Sequence, residues 1–347
     1  MLEDIDFSTV SPAVHPDEIE EIRRFLALHH LDLDSTVEVF VVARHYGTLH
    51  GCAGIAGDVV KCVAVSEEMQ GQDLLPRLIL EVSFVALDRG HPHLFLYTSP
   101  KNEQAFTACG FHPIVTVPGQ ALMMENTPRG IHAYTEELQI YRRDRERVGG
   151  VVLNANPFTL GHRHLLTRAA MECDYLHVFV VNEDASFFPF AQRLALVRAG
   201  VAQMDLRDRI HVHPGTKYVV SKATFPTYFL KDRGIVDLVA TAVDLLIFRQ
   251  HIAPALGITH RYVGTEPYCS VTRQYNADMH YWLERRDLPD AAKPVEVVEI
   301  PRLERGAAAI SATEVRRRLH DGDLEGLRPL VPQPTYDLLS SIASGGA

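Results

Sequence analysis

A threonine, a glycine and a histidine stand together at Thr159-Leu160-Gly161-His162, between a strand-like run, VGGVVLN, and a stretch carrying Leu165, Leu166, Ala169 and Cys173. That apolar spacing predicts a helix with Gly161 and His162 in its first turn. Free N–H groups and the positive dipole end of a helix suit a phosphate. Gly161 has no Cβ to block its approach. The Thr159 hydroxyl and a ring N–H of His162 can donate to phosphoryl oxygens. The same residues also fit an ordinary N-cap with a surface histidine.

A second cluster, Ile310-Ser311-Ala312-Thr313-Glu314-Val315-Arg316, lies late in the chain. Ser311 and Glu314 have the spacing of a capping box, and a capped helix start also presents donors to a polyphosphate. Arg316 adds a planar cationic fork suited to phosphate oxygens. A third cluster, Gly264-Thr265-Glu266, follows the run HRYVG, and Lys222 sits in Ser221-Lys222-Ala223-Thr224 as a further candidate cation or a plain surface lysine.

The elements that must position these residues change character along the chain. Before residue 141, EVFVVARHYGTLHGCAGIAGDVVKCVAV reads as two or three strands turning at Tyr46-Gly47 and Ala56-Gly57-Asp58. A helix ending near Gly90, the strand HLFLYTS and a short helix closed by Gly110 follow. The charged segment YRRDRERVGG at 141–150 suits an exposed junction, dividing the chain into 1–143 and 144–347. After it, strand candidates VGGVVLN, YLHVFVV, RIHVHP, VDLVAT, HRYVG and VEVVEI alternate with helical stretches. Such alternation predicts an α/β domain with a parallel sheet. Ligands in such sheets bind beyond the carboxyl ends of the strands, where the first and third clusters fall.

Composition removes several classes. The 347 residues carry 44 acidic and 34 basic side chains, a formal charge of −10. That balance argues against broad binding to nucleic acid or anionic membrane. The start, MLEDIDFSTV, lacks a secretory layout, and no apolar run approaches the ~20 residues of a membrane helix. Five scattered cysteines form no C-x-x-C, so reduced thiols and a cytoplasmic location are expected. His211 and His213 alternate on a strand, and His91 and His93 flank Pro92. With no third ligand nearby, both pairs are expected to face solvent or lie in loops.

Thr159-Leu160-Gly161-His162 resembles the [HT]-x-G-H signature of the nucleotidyltransferase superfamily, and ISATEVR its second signature, with Ala312 replacing a hydroxyl residue. The N-terminal stretches VAVSEEMQGQDLLPRLI and NEQAFTACGF resemble the GCN5-related N-acetyltransferase (GNAT) fold, an α+β domain. In active members a glycine-rich turn holds the coenzyme A pyrophosphate; here Glu68 and Asp73 place negative charge in that turn. The two modules together, with NPFTLGHRHLL, SKATFPTYFLKD and DLLIFRQHIAPALGITHRYVGTEPYC, resemble the citrate lyase ligases.

That resemblance implies a GNAT-like, non-catalytic N-terminal domain and a Rossmann-like nucleotidyltransferase domain. It implies an AMP-forming ligase that uses ATP, with Mg²⁺ expected, to activate acetate as acetyl-adenylate. The acetyl group then passes to the thiol of the phosphoribosyl-dephospho-coenzyme A group on the acyl carrier subunit of citrate lyase. Thr159 and His162 would act in adenylation. Asn156, Phe158, Gly161, Lys222, Gly264, Thr265, Glu266, Ser311, Thr313 and Arg316 would surround ATP, and no metal ligands are assigned. The alternatives are an adenylyltransferase that leaves AMP on its product, an N-acetyltransferase, and a non-catalytic binding module.

Overall fold

A computed structural model of the chain describes residues 4–182, 186–221, 238–266, 270–285, 288, 292–305 and 308–344. It divides into two compact units, Met1–His132 and Ala133–Ala347.

The first unit is built on a seven-stranded sheet. Its elements are β1 (Ile5–Val10), α1 (Pro16–Leu28), β2 (Val39–His45), β3 (Thr48–Ala56), β4 (Val59–Val65), α2 (Leu74–Asp88), β5 (Phe95–Thr98), α3 (Glu103–Ala108), β6 (His112–Val117) and β7 (Ala121–Glu125), in the sheet order β1-β2-β3-β4-β5-β7-β6. The expected turn at Tyr46-Gly47 is a two-residue hairpin with φ of 47° and 81°, the left-handed backbone that such a tight connection requires. Period-two alternation in β2 serves two cores. Val39, Val41 and Ala43 pack with Leu78 and Val82 of α2, while Phe40 and Val42 pack with Ile22 and Leu26 of α1. β4 and β5 run parallel and pair only at Val59–Phe95 and Val60–Leu96. Residues of both strands then line a cleft of 480 Å³.

The second unit holds α4 (Gly130–Gln139, begun in the first unit), β8 (Val148–Leu153), α5 (Leu160–Glu172), β9 (Tyr175–Val180), α6 (Phe190–Ala202), β10 (Ile210–Pro214), α7 (Leu238–Ile247), a π turn (Phe248–Ile252), α8 (Ala253–Leu256), β11 (His260–Gly264), α9 (Ser270–Glu284) and β12 (Glu296–Ile300). A short β13–β14 pair (Glu304–Arg305, Ala308–Ala309) and helices α10 (Ala312–His320), α11 (Leu324–Leu327) and α12 (Gln333–Ser344) follow. The five main strands are all parallel, in the order β10-β9-β8-β11-β12. Strand order therefore reverses between β8 and β11, opening a crevice at their carboxyl ends. The α/β architecture expected from the strand–helix alternation is present.

Several readings are corrected. The units part at 132/133 instead of 143/144, because the segment after His132 packs inside the second unit. Tyr134 stacks on Tyr218, and the Arg143 N–H donates to the Leu256 carbonyl at 3.1 Å. The VDLVAT run lies in helix, not strand, from Leu238 onward. Ala240, Ala242, Val243, Leu246 and Ile247 are all buried there, and a run apolar on every side gives no period by which helix and strand can be told apart. Through the π turn this helical stretch makes Val239–Leu256 long and apolar enough to cross a membrane by composition, yet 78% of it is buried in the fold.

The histidines also depart from expectation. His213 is buried beside His177, with Nδ1 of His177 2.9 Å from Nε2 of His213, and Tyr141 packs on His211. His93 bonds to buried Glu125 at 2.7 Å. Of the cysteines, Cys52, Cys62, Cys109 and Cys173 are free thiols, and Cys269 lies outside the described residues.

Candidate active site

The loop leaving β8 turns sharply. Ala155 has a φ of 49°, and Asn154 and Asn156 are tied down on either side. Buried Arg193 of α6 donates to the Asn154 carbonyl, the Asn154 side chain, the Val181 carbonyl and the Phe188 carbonyl at 2.7–3.1 Å. The Asn156 side chain accepts from the Phe188 N–H at 3.0 Å. One guanidinium thus joins the carboxyl ends of β8 and β9, a positioning role that nothing in the local sequence around Arg193 announces. Phe158 is fully buried and its carbonyl accepts from Thr335 Oγ1 at 2.9 Å. The Phe158 side chain anchors the loop from within the core.

Thr159 and His162 form a closed capping pair. The Thr159 hydroxyl accepts from the His162 backbone N–H at 3.3 Å, and His162 Nδ1 accepts from the Thr159 backbone N–H at 3.0 Å. Thr159 is 1% exposed, and its hydroxyl also lies 2.9 Å from His162 Nδ1. In the tautomer in which Nδ1 accepts from the Thr159 N–H, the neutral imidazole carries its own proton on Nε2. Burial, aided by the nearby Arg302 charge, lowers the His162 pKa to about 4. The ring is therefore a neutral donor at neutral pH, with Nε2–H as the hydrogen available to a phosphoryl oxygen.

The second signature meets the first in space. A Cβ on Gly161 would lie 3.0 Å from the Ile310 carbonyl oxygen, so glycine is what lets the two segments touch. Ser311 caps α10, accepting from the Glu314 N–H at 3.1 Å. Arg316 Nη1 donates to the Asn156 carbonyl at 2.6 Å, and Nη2 to Thr313 Oγ1 at 3.2 Å. Leu160, Phe188, Ile310, Val315, Leu327 and Leu339 share one apolar cluster that fastens the C-terminal helices against the start of α5. Two helix N-termini, each contributing positive dipole charge, are thereby brought side by side, although at α5 the Thr159, Leu160 and His162 N–H groups are taken by His162 Nδ1, the Leu330 carbonyl and Thr159 Oγ1.

On the other flank, Thr265 donates its N–H to the Ile300 carbonyl at 3.0 Å, and nothing stands within 4 Å of where a Gly264 side chain would be. Thr265 and Glu266 line a cavity of 430 Å³ with Asn276, His280 and Glu299. Arg302, just past β12, bonds to the Thr265 carbonyl and pairs with Glu266. It was not singled out from sequence, because a lone arginine after a strand carries no signature. The structure thus gathers Asn156, Gly161, His162, Ser311, Thr313 and Arg316 around the α5 start, and Gly264, Thr265 and Glu266 at the end of β11. Lys222 lies outside the described residues.

Among solved structures, Escherichia coli ElaA aligns with 35% of this chain and 98% of its own, at 14% identity and a TM-score of 0.32. A bifunctional NMN adenylyltransferase/ADP ribose pyrophosphatase from Francisella tularensis aligns with 57% of this chain and 50% of its own, at 13% identity and a TM-score of 0.33. Scores this low carry no argument. Sequence relatives are far nearer. The citrate (pro-3S)-lyase ligase of Escherichia coli (strain K12) is 45% identical over 94% of this chain and 91% of its own length. Those of Klebsiella pneumoniae and Haemophilus influenzae (strain ATCC 51907 / DSM 11121 / KW20 / Rd) are 42% and 41% identical, over 93% and 92% of this chain and 93% and 94% of their own. A family model described as the citrate lyase ligase C-terminal domain matches residues 148–339, the span that contains the whole cluster around α5, β11 and α10. On both grounds the chain belongs to the citrate lyase ligase family.

Proposed function

We propose that this ligase activates acetate with ATP and acetylates the thiol of the phosphoribosyl-dephospho-coenzyme A group on the acyl carrier subunit of citrate lyase. Acetate is a poor acyl donor because its oxygen is a poor leaving group. A carboxylate oxygen of acetate attacks the α-phosphorus of ATP, the bond to the bridging oxygen breaks, and pyrophosphate departs. The carrier thiolate then attacks the acetyl carbonyl, a thioester forms, and AMP leaves. No protein nucleophile is required, so the protein aligns reactants and stabilises charge on the phosphates.

The observation that supports this reading best is the meeting of two helix starts at Gly161 and Ile310, bridged by Arg316 to Asn156. His162 donates from Nε2 to the phosphoryl group under attack. Ser311, Thr313 and Arg316 take the β- and γ-phosphates, while Gly264 to Glu266 border the adenosine. Mg²⁺ enters as part of the substrate, carried on the phosphate oxygens. No group of three or more His, Cys, Asp or Glu gathers for a metal among the described residues, and Arg316 stands against the loop before α5. The first unit recognises the prosthetic group or its carrier protein, in keeping with a ligase whose acceptor thiol is borne on protein. We place the enzyme in the cytoplasm, where ATP and the acceptor would be found.

The test is incubation of the full chain with ATP, acetate and deacetylated citrate lyase, following AMP and lyase activity. Free AMP released in step with recovered lyase activity is the expected result. AMP retained on an acetate-independent product would make the protein an adenylyltransferase instead.

A further inference from the structure

Arg302 is a second arginine, besides Arg316, at the carboxyl edge of the sheet. Its Nε donates to the Thr265 carbonyl at 2.7 Å, and its Nη2 is paired with the Glu266 carboxylate. Nη1 makes no hydrogen bond among the described residues, and the side chain keeps 28% of its exposure, against 6% for Glu266. Arg302 follows β12, which pairs with β11, and β11 in turn pairs with β8, the strand that leads into α5, so Arg302 stands at the same carboxyl edge of the sheet. Arg316, bonded to Asn156 and Thr313, approaches the α5 start from α10. Arg302 belongs to the β11–β12 flank, the side that borders adenosine in the reading above.

A nearly buried carboxylate beside an anion site needs an explanation, since it repels the ligand the site is built for. A carboxylate paired to a guanidinium offers the same bidentate, planar acceptor as a phosphate. Glu266 also borders the 430 Å³ cavity, so its side chain has space to turn into. Arg273, whose Nε donates to the Glu266 carbonyl at 3.2 Å, lines that cavity and brings positive charge to it, while His280 is held by Glu284 and Glu299.

We propose that Arg302 binds the α-phosphoryl oxygens of ATP, and that Glu266 is an exchangeable counter-ion which holds Arg302 in place until the nucleotide displaces it. The inference rests on the nucleotide site proposed above and deepens it. Arg316 and α10 serve the departing pyrophosphate; Arg302 serves the phosphoryl group that stays with adenosine. The counter-ion keeps the empty site from holding an unpaired, half-buried cation. It also makes Glu266 a competitor of ATP, and that sets the test.

The test compares Arg302→Met, Arg302→Lys and Glu266→Gln in the full chain. Equilibrium binding of ATP, AMP and pyrophosphate is measured by calorimetry, together with KM and kcat for ATP in acetate-dependent pyrophosphate exchange. Arg302→Met should weaken ATP and AMP alike by about tenfold or more, leave pyrophosphate binding near wild type, and be partly rescued by lysine. Glu266→Gln should move the other way, tightening ATP by roughly two- to fivefold, because a neutral amide competes less for the guanidinium. An ion pair with a purely structural role would make both variants worse together. Parallel weakening, or unchanged ATP and AMP binding in Arg302→Met, would overturn the proposal. A wild-type protein that binds no ATP would overturn the nucleotide reading itself.

Discussion

Two helix starts in this chain look alike locally and differ in everything around them. In the first unit, Gly71 (φ 76°) and Asp73 (φ 57°) lead into α2, whose N-cap makes no side-chain hydrogen bond, and Glu67 and Glu68 stand just upstream. In the second unit, Thr159 and His162 close a capping box at α5, with Arg316 against the loop before it. Both starts present the positive end of a helix dipole. The dipole contributes only about 0.3–1 kcal/mol at an exposed end, whereas each charge-assisted hydrogen bond contributes about 1.5–3 kcal/mol. Flanking charge therefore separates the two starts: arginine stands against the α5 loop, and carboxylates stand at the head of α2.

The sharpest way to break this comparison is His162→Ala. Losing a neutral donor aimed at developing charge should slow acetate-dependent ATP–pyrophosphate exchange by about 10²–10³-fold. Exchange near wild type would remove His162 from the chemistry. The wild-type pH profile adds a second check. With its folded pKa lowered to about 4, His162 stays a donor through pH 5–8 and should contribute no titration to kcat there. Its linkage to stability runs the other way. The unfolded ring takes a proton below pH ~6.5, so this contribution is whole above that pH and is lost as pH falls toward 4.

Next in size is Arg316→Lys. The bonds to Asn156 and Thr313 use two nitrogens of one planar fork, which lysine cannot reproduce. We expect kcat/KM for ATP to fall about tenfold with charge retained. A lysine variant matching wild type would reduce Arg316 to a surface residue of α10.

Thr159→Ala should then cost roughly 1 kcal/mol of thermal stability through the lost cap, with a smaller loss of exchange than His162→Ala. Thr159→Ser, which restores the hydroxyl, should recover both. Equal losses in Thr159→Ala and His162→Ala would mean that the threonine touches the phosphate after all.

The smallest effect is expected at α2. Calorimetry of the full chain with acetyl-coenzyme A should show no micromolar binding, and Glu68→Gln with Asp73→Gly should tighten it only modestly. Strong wild-type binding with acetyl transfer to an amine would erase the contrast between the two helix starts.

Much of this was legible along the chain because it is local. A strand, a turn and an apolar helical stripe announce β8, the Thr159–His162 loop and α5 in order, and Ser311 with Glu314 announces the α10 cap. The misread VDLVAT segment shows the limit of local reading. Burial on every side of α7 is a tertiary fact, and it erases the period by which a helix is recognised. His177 and His213 show it again, since two solvent-tolerant residues on neighbouring strands become a buried pair only through sheet register.

By itself the sequence determined the alternating α/β order, the two signatures and their succession, and the carboxylates at the head of α2. Only the tertiary structure decided that Thr159 is buried as the cap of α5 against His162, that Phe158 anchors the loop, and that Arg193 ties two strand ends together. It alone joined Arg302, past the end of β12, to Thr265 and Glu266 at the end of β11. The physical reason is the same in each case: a proton's position, a side chain's exposure and a charge's reach depend on atoms supplied by segments far away in the chain.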